Sequence, residues 1–175
     1  MLHDFNLLIT TTRRNEINAC QETWYLLNQI GDPDPKTDTT PIRGVITAKT
    51  MLPPQQAIQE LRTFLREHPR EFNYTLRIVP IQRITRTDLH EIEQTATELA
   101  QHLRPDETFR ITVEKRFTNT PTKAIIEAAA KNIQNKVNLT SPDRVIIIEV
   151  IGKITGMSIL KPTDIMSTAK ERTEI

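Results

Sequence analysis

The sequence RVIIIEVI, at residues 144–151, decides the fold. A strand with one face in water alternates apolar and polar side chains, whereas this run is apolar at almost every position. It therefore indicates a strand in the interior of a sheet, with both faces covered. The stretch FRITVEKRF at residues 109–117 does alternate, with Phe109, Ile111 and Val113 on one face, and predicts a second strand.

Helical patterns alternate with strand patterns along the rest of the chain. Strands are predicted at residues 5–12, 42–50, 74–84, 109–117, 144–151 and 156–161, and helices at residues 13–30, 53–68, 88–103 and 121–137. The stretch DPDPKTDTTP at residues 32–41 predicts a mobile loop, because Pro and Asp disfavour both regular structures. The resulting order, βαβαβ and then αβαββ, indicates an α/β or α+β fold with helices covering sheets.

Two of these elements carry explicit expectations about the core. The first helix is predicted to bury Ile17, Cys20, Trp24 and Leu27, and the stretch 74–84 to bury Leu76, Ile78 and Ile81. A new helix begins near residue 88, so we place a domain boundary just before it. The predicted organisation is a first domain at residues 1–86, a second at residues 87–163 and a C-terminal tail at residues 164–175.

Composition narrows the class of protein. Hydrophobic residues make up 37% of the chain and charged residues 26%, which is typical of a soluble globular protein. The single cysteine, Cys20, excludes an intramolecular disulfide and a Cys-rich zinc site. The longest apolar run, Val145–Ile148, is too short to span a membrane. Residues 1–12 resemble a strand rather than a targeting segment, and we therefore expect a cytoplasmic protein without membrane attachment.

Motifs for catalysis are missing from the sequence. It contains neither the G-K-[ST] of a phosphate-binding loop nor a GxGxxG turn, and its four histidines are not spaced for a shared metal. Cys20 falls on a predicted buried stripe and is a poor candidate for a nucleophile. Glu114 and Glu149 could face each other across strands, although general acid catalysis also needs a pocket. We expect no catalytic residue, no metal and no cofactor.

Positive charge is concentrated in the second half of the chain. The net charge is +1, yet residues 109–161 contain nine Lys and Arg against four acidic residues. Lys115 and Arg116 end a strand, a polar turn follows, and Lys123 lies in the first turn of the next helix. Free N–H groups at the start of a helix and adjacent cations together favour the binding of anions. A second basic turn, residues 152–156, carries Lys153.

The sequence leaves a simpler interpretation open. Lys115 and Arg116 could pair with carboxylates such as Glu114 or Glu149, and Thr120 could be only a helix cap. If the strands around the two basic turns are neighbours, however, the cations converge on one surface.

At these residues the sequence resembles the THUMP family. The resemblance covers roughly residues 88–161 and rests on pieces in the order typical of the family. They are the strand with a basic end, the connector Val137-Asn138-Leu139 with Pro142-Asp143, the apolar strand with Glu149, and Gly156-Met157-Ser158. Each piece is weak alone, but their order and spacing are fairly specific.

The resemblance implies a function as well as a fold. A ferredoxin-like domain commonly precedes the THUMP domain, which agrees with the pattern of residues 1–84. Family members usually carry an RNA-modifying catalytic domain, whereas stand-alone members resemble adaptors that help a separate acetyltransferase to form N4-acetylcytidine in tRNA. The similarity is greatest to a compact, archaeal-type adaptor. We therefore expect a protein that is not itself an enzyme and that has tRNA and an RNA acetyltransferase as partners, without DNA.

The resemblance also implies which residues contact RNA. THUMP surfaces hold the unpaired acceptor 3′ end of tRNA, so the cations would contact phosphates and the hydroxyls would contact bases or ribose. The predicted RNA-binding residues are Lys115, Arg116, Thr118, Lys123, Lys153, Thr155, Ser158 and Lys161. Phe117 is the only aromatic residue near them, so we expect hydrogen bonding to dominate over stacking.

Two alternatives remain at the level of sequence. The chain could be a subunit that contributes Glu114 or Glu149 to a shared active site for RNA modification. It could also be a ferredoxin-like oligomeric module that binds a small anion or a protein instead of RNA.

Overall fold

The computed structural model describes residues 1–174, and two β-sheets with helices packed against them form in that part of the chain. The strands are β1 (Leu7–Thr10), β2 (Lys36–Thr39), β3 (Val45–Lys49), β4 (Arg77–Pro80), β5 (Arg83–Arg86), β6 (Phe109–Glu114), β7 (Arg144–Ile151), β8 (Ile154–Leu160) and β9 (Met166–Ser167). The helices are α1 (Glu16–Gln29), α2 (Pro54–Glu67), α3 (Leu89–Ala100), α4 (Thr122–Ala130) and α5 (Thr168–Thr173), with short 3-10 turns at Pro69–Glu71 and Pro162–Asp164. The predicted mixed α/β class is confirmed.

Two units divide the chain: residues 1–81 together with the segment from Asp164 onward, and residues 82–163. The first unit contains an antiparallel sheet in the order β2-β3-β1-β4-β9. Its succession β1-α1-β2-β3-α2-β4 is the ferredoxin-like arrangement. Side chains from the sheet, α1 and α2, among them Ile9, Leu27 and Leu61, form its core.

The second unit contains a sheet in the order β5-β8-β7-β6. Here β6 and β7 are parallel, because α4 carries the chain across between them, while β8 is antiparallel to both β7 and β5. The sequence RVIIIEVI is β7, an interior strand in which every residue after Arg144 is buried, as its apolar pattern predicts. Helices α3 and α4 supply Ile92 and Ile125 to its core.

The predicted buried face of α1 is right only in part, because Leu27 is buried as predicted but Ile17 and Trp24 are not. Ile17 and Trp24 are 69% and 48% exposed, whereas Ala19, Thr23, Leu26 and Leu27 are the buried residues. The helix therefore turns a different face to the sheet, and small or polar side chains lie on it. Cys20 is half-buried, and this burial raises the pKa of its thiol.

Two stretches differ from their predicted secondary structure. The predicted loop at 32–41 contains the strand β2, which pairs with β3 despite its polar sequence KTDT. The predicted single strand at 74–84 is two strands in different sheets, because β4 ends at Pro80 and β5 begins at Arg83. Proline has no N–H for a ladder, and Leu76 is 37% exposed rather than core.

Helix α4 is shorter than predicted. It ends at Ala130 instead of Val137, and the chain continues in a turn in which the Ile133 N–H donates to the Ala130 carbonyl. Val137 is 54% exposed and forms an isolated bridge with Phe109. The periodicity of Ile125, Ala129 and Ile133 continues through this turn, which explains why the sequence predicts a longer helix.

The segment 164–175 is not a separate tail where it is described. Met166 in β9 pairs with Ile78 in β4, and α5 follows directly, so that this segment extends the sheet of the first unit. The Arg62 side chain donates to Glu171 Oε1 and to the Ile165 carbonyl, at 2.7 and 2.8 Å. Ile175, the last residue of the predicted tail, lies outside the described residues.

Candidate nucleic-acid interface

Three loops of the second unit meet at one edge of its sheet. The register pairs Arg86 with Ile154, Ile151 with Ile154, and Glu114 with Glu149. The ends of β5, β6 and β7 and the beginning of β8 therefore lie at the same edge. The loop after β5 (residues 87–88), the loop after β6 (residues 115–121) and the turn between β7 and β8 (residues 152–153) follow these ends. The two basic turns of the sequence are thus brought together.

Backbone hydrogen bonds hold the three loops in place. The Gly152 N–H donates to the Arg116 carbonyl, and the Thr87 N–H donates to the Lys153 carbonyl, each at 2.8 Å. Gly152 has a φ of +62°, in the left-handed region that a side chain disfavours. The β7–β8 turn is therefore tied on both sides to its neighbouring loops.

The loops border an open cavity of about 640 Å³, which we call the loop cavity. Its volume falls within the range typical of ligand sites in proteins. It is lined by Arg86, Thr87, Asp88, His90, Glu91, Phe117, Thr118, Asn119, Gly152 and Lys153. All of these residues belong to the second unit.

Two predicted RNA-binding residues, Thr118 and Lys153, line the loop cavity. Lys153 is exposed at the turn between β7 and β8, and the Thr118 hydroxyl accepts from the Thr120 N–H at 3.2 Å. Lys115 is exposed in the same loop as Thr118, and its Nζ donates to the Thr120 carbonyl at 2.9 Å. These three residues are the part of the predicted site that the fold gathers at one edge.

Arg116 has a different position from the one predicted. Its Nη1 donates to Glu149 Oε2 at 2.8 Å; the Glu149 side chain is completely buried and the Arg116 side chain is 16% exposed. The guanidinium therefore points into the domain, as in the simpler interpretation in which Arg116 pairs with Glu149. In this position Arg116 stabilises the loop after β6 rather than presenting its charge to a phosphate.

Thr155 and Ser158 are also misplaced by the sequence-based prediction. Both are fully buried, because they lie in β8, an interior strand. The Thr155 and Thr87 hydroxyls are 2.9 Å apart, and the Ser158 hydroxyl accepts from the Gln82 N–H at 2.9 Å. From these positions neither hydroxyl can reach RNA, and both connect β8 to the residues that flank β5.

Lys123 and Lys161 lie outside the loop cavity. The Lys123 side chain is 87% exposed on α4, with its Nζ 3.8 Å from Glu127 Oε1. Lys161 follows β8 at the end opposite to the loops, about 20 Å from Ile154 at the usual rise of a strand. The cations predicted to form one surface are therefore divided, and Lys161 is at the far edge.

The other eight lining residues were not in the predicted set, and Arg86, His90 and Phe117 are the most informative of them. Arg86 and His90 belong to β5 and α3, whose proximity to the basic turns follows from strand pairing that the sequence does not reveal. Phe117 is visible in the sequence as an aromatic between a basic pair and a polar turn. Its side chain is 75% exposed, and its φ is +55°.

Acidic groups moderate the charge of this edge. Arg86 forms an ion pair with Glu91, and this contact raises the pKa of the guanidinium. Hydrogen bonds from the Arg86 side chain, the Thr85 hydroxyl and the Arg86 N–H lower the pKa of Glu91 to about 2. Asp88 accepts from the Glu91 N–H at 3.0 Å as the N-cap of α3. Exposed positive charge at the loops thus comes mainly from Lys115 and Lys153.

The helices of residues 1–174 include none with the length and apolar character that crossing a membrane would require.

Comparison with known proteins places this edge in a recognised domain. An uncharacterized protein of Methanocaldococcus jannaschii is 29% identical over 101 residues, which are 55% of this chain and 28% of that protein. Among solved structures, PH1313 of Pyrococcus horikoshii is similar with a TM-score of 0.60 and 17% identity, over 90% of this chain and 55% of that one. A 4-thiouridine synthetase solved with RNA and ATP has a TM-score of 0.57 and 11% identity, over 94% of this chain and 42% of that one.

At these identities the solved structures establish the similarity of fold alone, and the chain spans between about a quarter and about half of the length of the proteins it matches. Residues 86–160 match the THUMP domain family, and this range contains almost the whole second sheet and all ten residues of the loop cavity. The chain is therefore similar to a THUMP domain over residues 86–160.

Proposed function

We propose that this protein binds the unpaired acceptor 3′ end of tRNA at the loop cavity and presents the tRNA to a separate modifying enzyme. One observation carries the proposal: three loops of the THUMP domain, which are distant in sequence, converge on a cavity with exposed basic and polar side chains. Single-stranded RNA matches this combination, because it offers phosphates to the basic side chains and splayed bases to the polar ones.

The chemistry of the loops supports single-stranded rather than double-stranded RNA. Lys115 and Lys153 can neutralise backbone phosphates, while Thr118 and Asn119 can donate to and accept from base edges or ribose hydroxyls. Such side chains can contact the exposed bases of an unpaired end, whereas a duplex presents its bases stacked inside the helix. The RNA seen with the 4-thiouridine synthetase is consistent with this use of the fold.

An adaptor role agrees best with the residues at this edge. Glu149, a candidate for acid–base chemistry, is buried and neutralised by Arg116, which supports a structural function. The partner we propose is an RNA acetyltransferase that forms N4-acetylcytidine in the cytoplasm, because the resemblance of the sequence is to adaptors of that reaction. The THUMP domain would then supply the contact with tRNA and the partner would supply the chemistry.

The proposal is tested by measuring binding of the full chain to two tRNA minihelices, one intact and one lacking its unpaired 3′ nucleotides. We expect the trimmed RNA to bind more weakly by at least tenfold, about 1.4 kcal/mol. Equal affinity for the two RNAs would exclude recognition of the acceptor end.

The location of the site is tested by a Lys115→Ala/Lys153→Ala double variant. Each lost phosphate contact lowers the salt dependence of binding by about one unit, so the variant should lose about two units of slope. Lys161→Ala is the matched control, because it removes a lysine at the opposite edge of the same sheet. A larger effect of Lys161→Ala than of the double variant would place the RNA elsewhere.

The adaptor role is tested by co-purification of the partner. A tagged chain recovered from a reducing cytosolic extract should bring with it tRNA and an acetyltransferase, and addition of the chain to that enzyme should increase its activity on tRNA. Modification of tRNA by the purified chain alone would show that it is an enzyme and would overturn this part of the proposal.

A further inference from the structure

We propose that Phe117 is a stacking platform for one unpaired base, an inference that rests on the proposed binding of an RNA end at the loop cavity. Phe117 lies between Arg116 and Thr118 in the loop after β6, and it lines the cavity. Its side chain is 75% exposed, more than that of Trp24 or Tyr25. A ring in this position offers an apolar face to whatever enters the cavity.

The backbone conformation of Phe117 points to function rather than to chance exposure. A φ of +55° is unusual for any residue with a side chain and especially for a bulky one, since Cβ then crowds the backbone. Such strain persists where the surroundings enforce it, and it is concentrated at binding sites. Here it aims an aromatic side chain into a cavity instead of into the core.

Contacts made by the residues on either side of Phe117 hold it in this conformation. On one side, the buried ion pair with Glu149 and the hydrogen bond from the Gly152 N–H hold Arg116. On the other side, the Thr118 hydroxyl accepts from the Thr120 N–H. Gly152 lies directly beside Phe117, since a Cβ built there would be in ordinary contact with the Phe117 Cβ, at 4.0 Å. The loop is therefore fixed, and the Phe117 ring projects from it.

The remaining chemistry of the cavity fits a nucleotide. Lys153, which also lines the cavity, can hold the phosphate that accompanies a stacked base, and Thr118 and Asn119 are near enough to line the same space. Stacking tolerates any base because each has a π-face, so this contact would give affinity with little sequence preference. Since Thr155 and Ser158 are buried, stacking replaces much of the hydrogen bonding that the sequence predicts.

The test uses Phe117→Ala, Phe117→Leu and Phe117→Tyr in the full chain, with the intact minihelix as probe. Loss of one stacked base weakens single-strand binding by roughly 5- to 150-fold. We expect this loss with Ala, little recovery with Leu, which restores apolar size but not aromaticity, and near-normal binding with Tyr. Far-UV circular dichroism checks that each variant is folded, and the Leu and Tyr variants keep the test decisive if the Ala variant is not.

Abasic RNAs identify the base. Minihelices with an abasic ribose at each unpaired position in turn should include one that binds the wild type more weakly but gives Phe117→Ala no further loss. A direct readout uses Phe117→Trp in a Trp24→Phe background, in which the indole fluorescence should be quenched when the intact minihelix binds. Additive losses at every position, together with unquenched fluorescence, would overturn the stacking role.

The outcomes also separate this inference from the proposed function. If Phe117→Ala and Phe117→Leu bind as the wild type does while Lys115→Ala/Lys153→Ala is weakened, stacking is wrong and RNA binding at the cavity stands. If the wild type binds intact and trimmed minihelices equally, the proposed function fails, and the stacking role fails with it.

Discussion

At the scale of single residues, Arg116 illustrates how a cation can serve a binding site without touching its ligand. The sequence places it among the phosphate contacts, yet its guanidinium is directed at the fully buried Glu149. The pair connects the end of β6 with β7 and fixes the start of the loop that carries Phe117 and Thr118. Its contribution is to the shape of the interface, whereas Lys115 and Lys153 supply its charge.

Replacement of Arg116 should therefore destabilise the domain. Removing one partner of a buried ion pair typically costs about 3 kcal/mol or more, because the remaining charge loses its neutralising group in a desolvated place. We expect Arg116→Leu to lower the free energy of unfolding by about that amount in urea titrations. Lys123→Leu is the control on the exposed surface of α4, where substitutions usually change stability by about 0.5 kcal/mol or less. Equal stability of the two variants would contradict the structural role of Arg116.

At the scale of elements, the junction between β5 and α3 forms one wall of the loop cavity and depends on Glu91. This carboxylate accepts from the Thr85 hydroxyl at 2.8 Å, from the Arg86 N–H at 3.1 Å and from Arg86 Nε at 2.7 Å. Asp88 meanwhile caps the helix through the Glu91 N–H. The hydrogen bonds of Glu91 thus connect the start of α3 to the end of β5.

The stability of this junction should depend on pH in the acid range. The pKa of Glu91 in the folded protein is lowered to about 2, chiefly by hydrogen bonds from Arg86 and Thr85, and an unfolded glutamate titrates near 4.5. A depressed pKa contributes stability above the unfolded value, and this stability is lost as the pH falls from about 4.5 toward 2. Wild type and Glu91→Gln should therefore differ at pH 6 and converge near pH 2.

A second carboxylate on the same helix serves as the control for Glu91→Gln. Glu98 lies in an exposed position of α3, and Glu98→Gln should follow the wild type across the whole pH range. Urea unfolding monitored by circular dichroism between pH 2 and 6 provides the measurement. A constant difference between wild type and Glu91→Gln at all pH values would show that the Glu91 carboxylate does not stabilise the junction.

The elements also show which parts of the fold can be predicted from sequence. The strand β7 follows from its nearly continuous apolar run, and α2 follows from helical periodicity, with Ala57, Ile58, Leu61 and Leu65 on its buried face. The strand β2 has the polar sequence KTDT and is a strand because β3 offers it a partner, which no local pattern can reveal. The prediction for α1 is wrong at Ile17 and Trp24 for a related reason. These two exposed side chains are more hydrophobic than the buried Ala19 and Thr23, so a hydrophobic pattern assigns them to the core.

The candidate site was predictable only in part. Residue type and local turns identify Lys115, Thr118 and Lys153 correctly as members of one edge, because the basic ends of strands are visible in the sequence. Whether a side chain on a strand faces solvent depends on the strand's position in the sheet, and β8 proves to be interior, which buries Thr155 and Ser158. The participation of Arg86 depends on the pairing of β5 with β8, a long-range contact outside the reach of pattern analysis.

At the scale of the whole molecule, the first unit is completed by residues from the far end of the chain. The strand β9 pairs with β4, and α5 lies near α2, so that a segment more than 80 residues away in sequence closes the ferredoxin-like sheet. Arg62 on α2 holds this segment through Glu171 and the Ile165 carbonyl, and its side chain is only 11% exposed. Arg172 adds a hydrogen bond to the Pro69 carbonyl at 3.0 Å.

Loss of the Arg62 contacts should loosen the first unit. Hydrogen bonds to charged groups contribute about 1.5–3 kcal/mol each, so Arg62→Ala, which removes two of them, should lower the free energy of unfolding by about 3 kcal/mol. Amide hydrogen exchange should rise at Met166 and Ser167, whose strand would lose its anchor. Arg66→Ala, at an exposed position one turn further along α2, serves as the control and should leave exchange unchanged. Unaltered exchange in Arg62→Ala would show that β9 is held by other contacts.

The central claim is that the loops at one edge of the β5-β8-β7-β6 sheet bind the RNA end, and amide chemical shifts measured by NMR during titration with the intact minihelix test it most directly. We expect the shifts to change at residues 86–91, 115–119 and 152–153, and to stay constant around Thr140, Arg144 and Lys161 at the opposite edge. Shifts concentrated at that opposite edge, or confined to residues 1–81, would contradict the account.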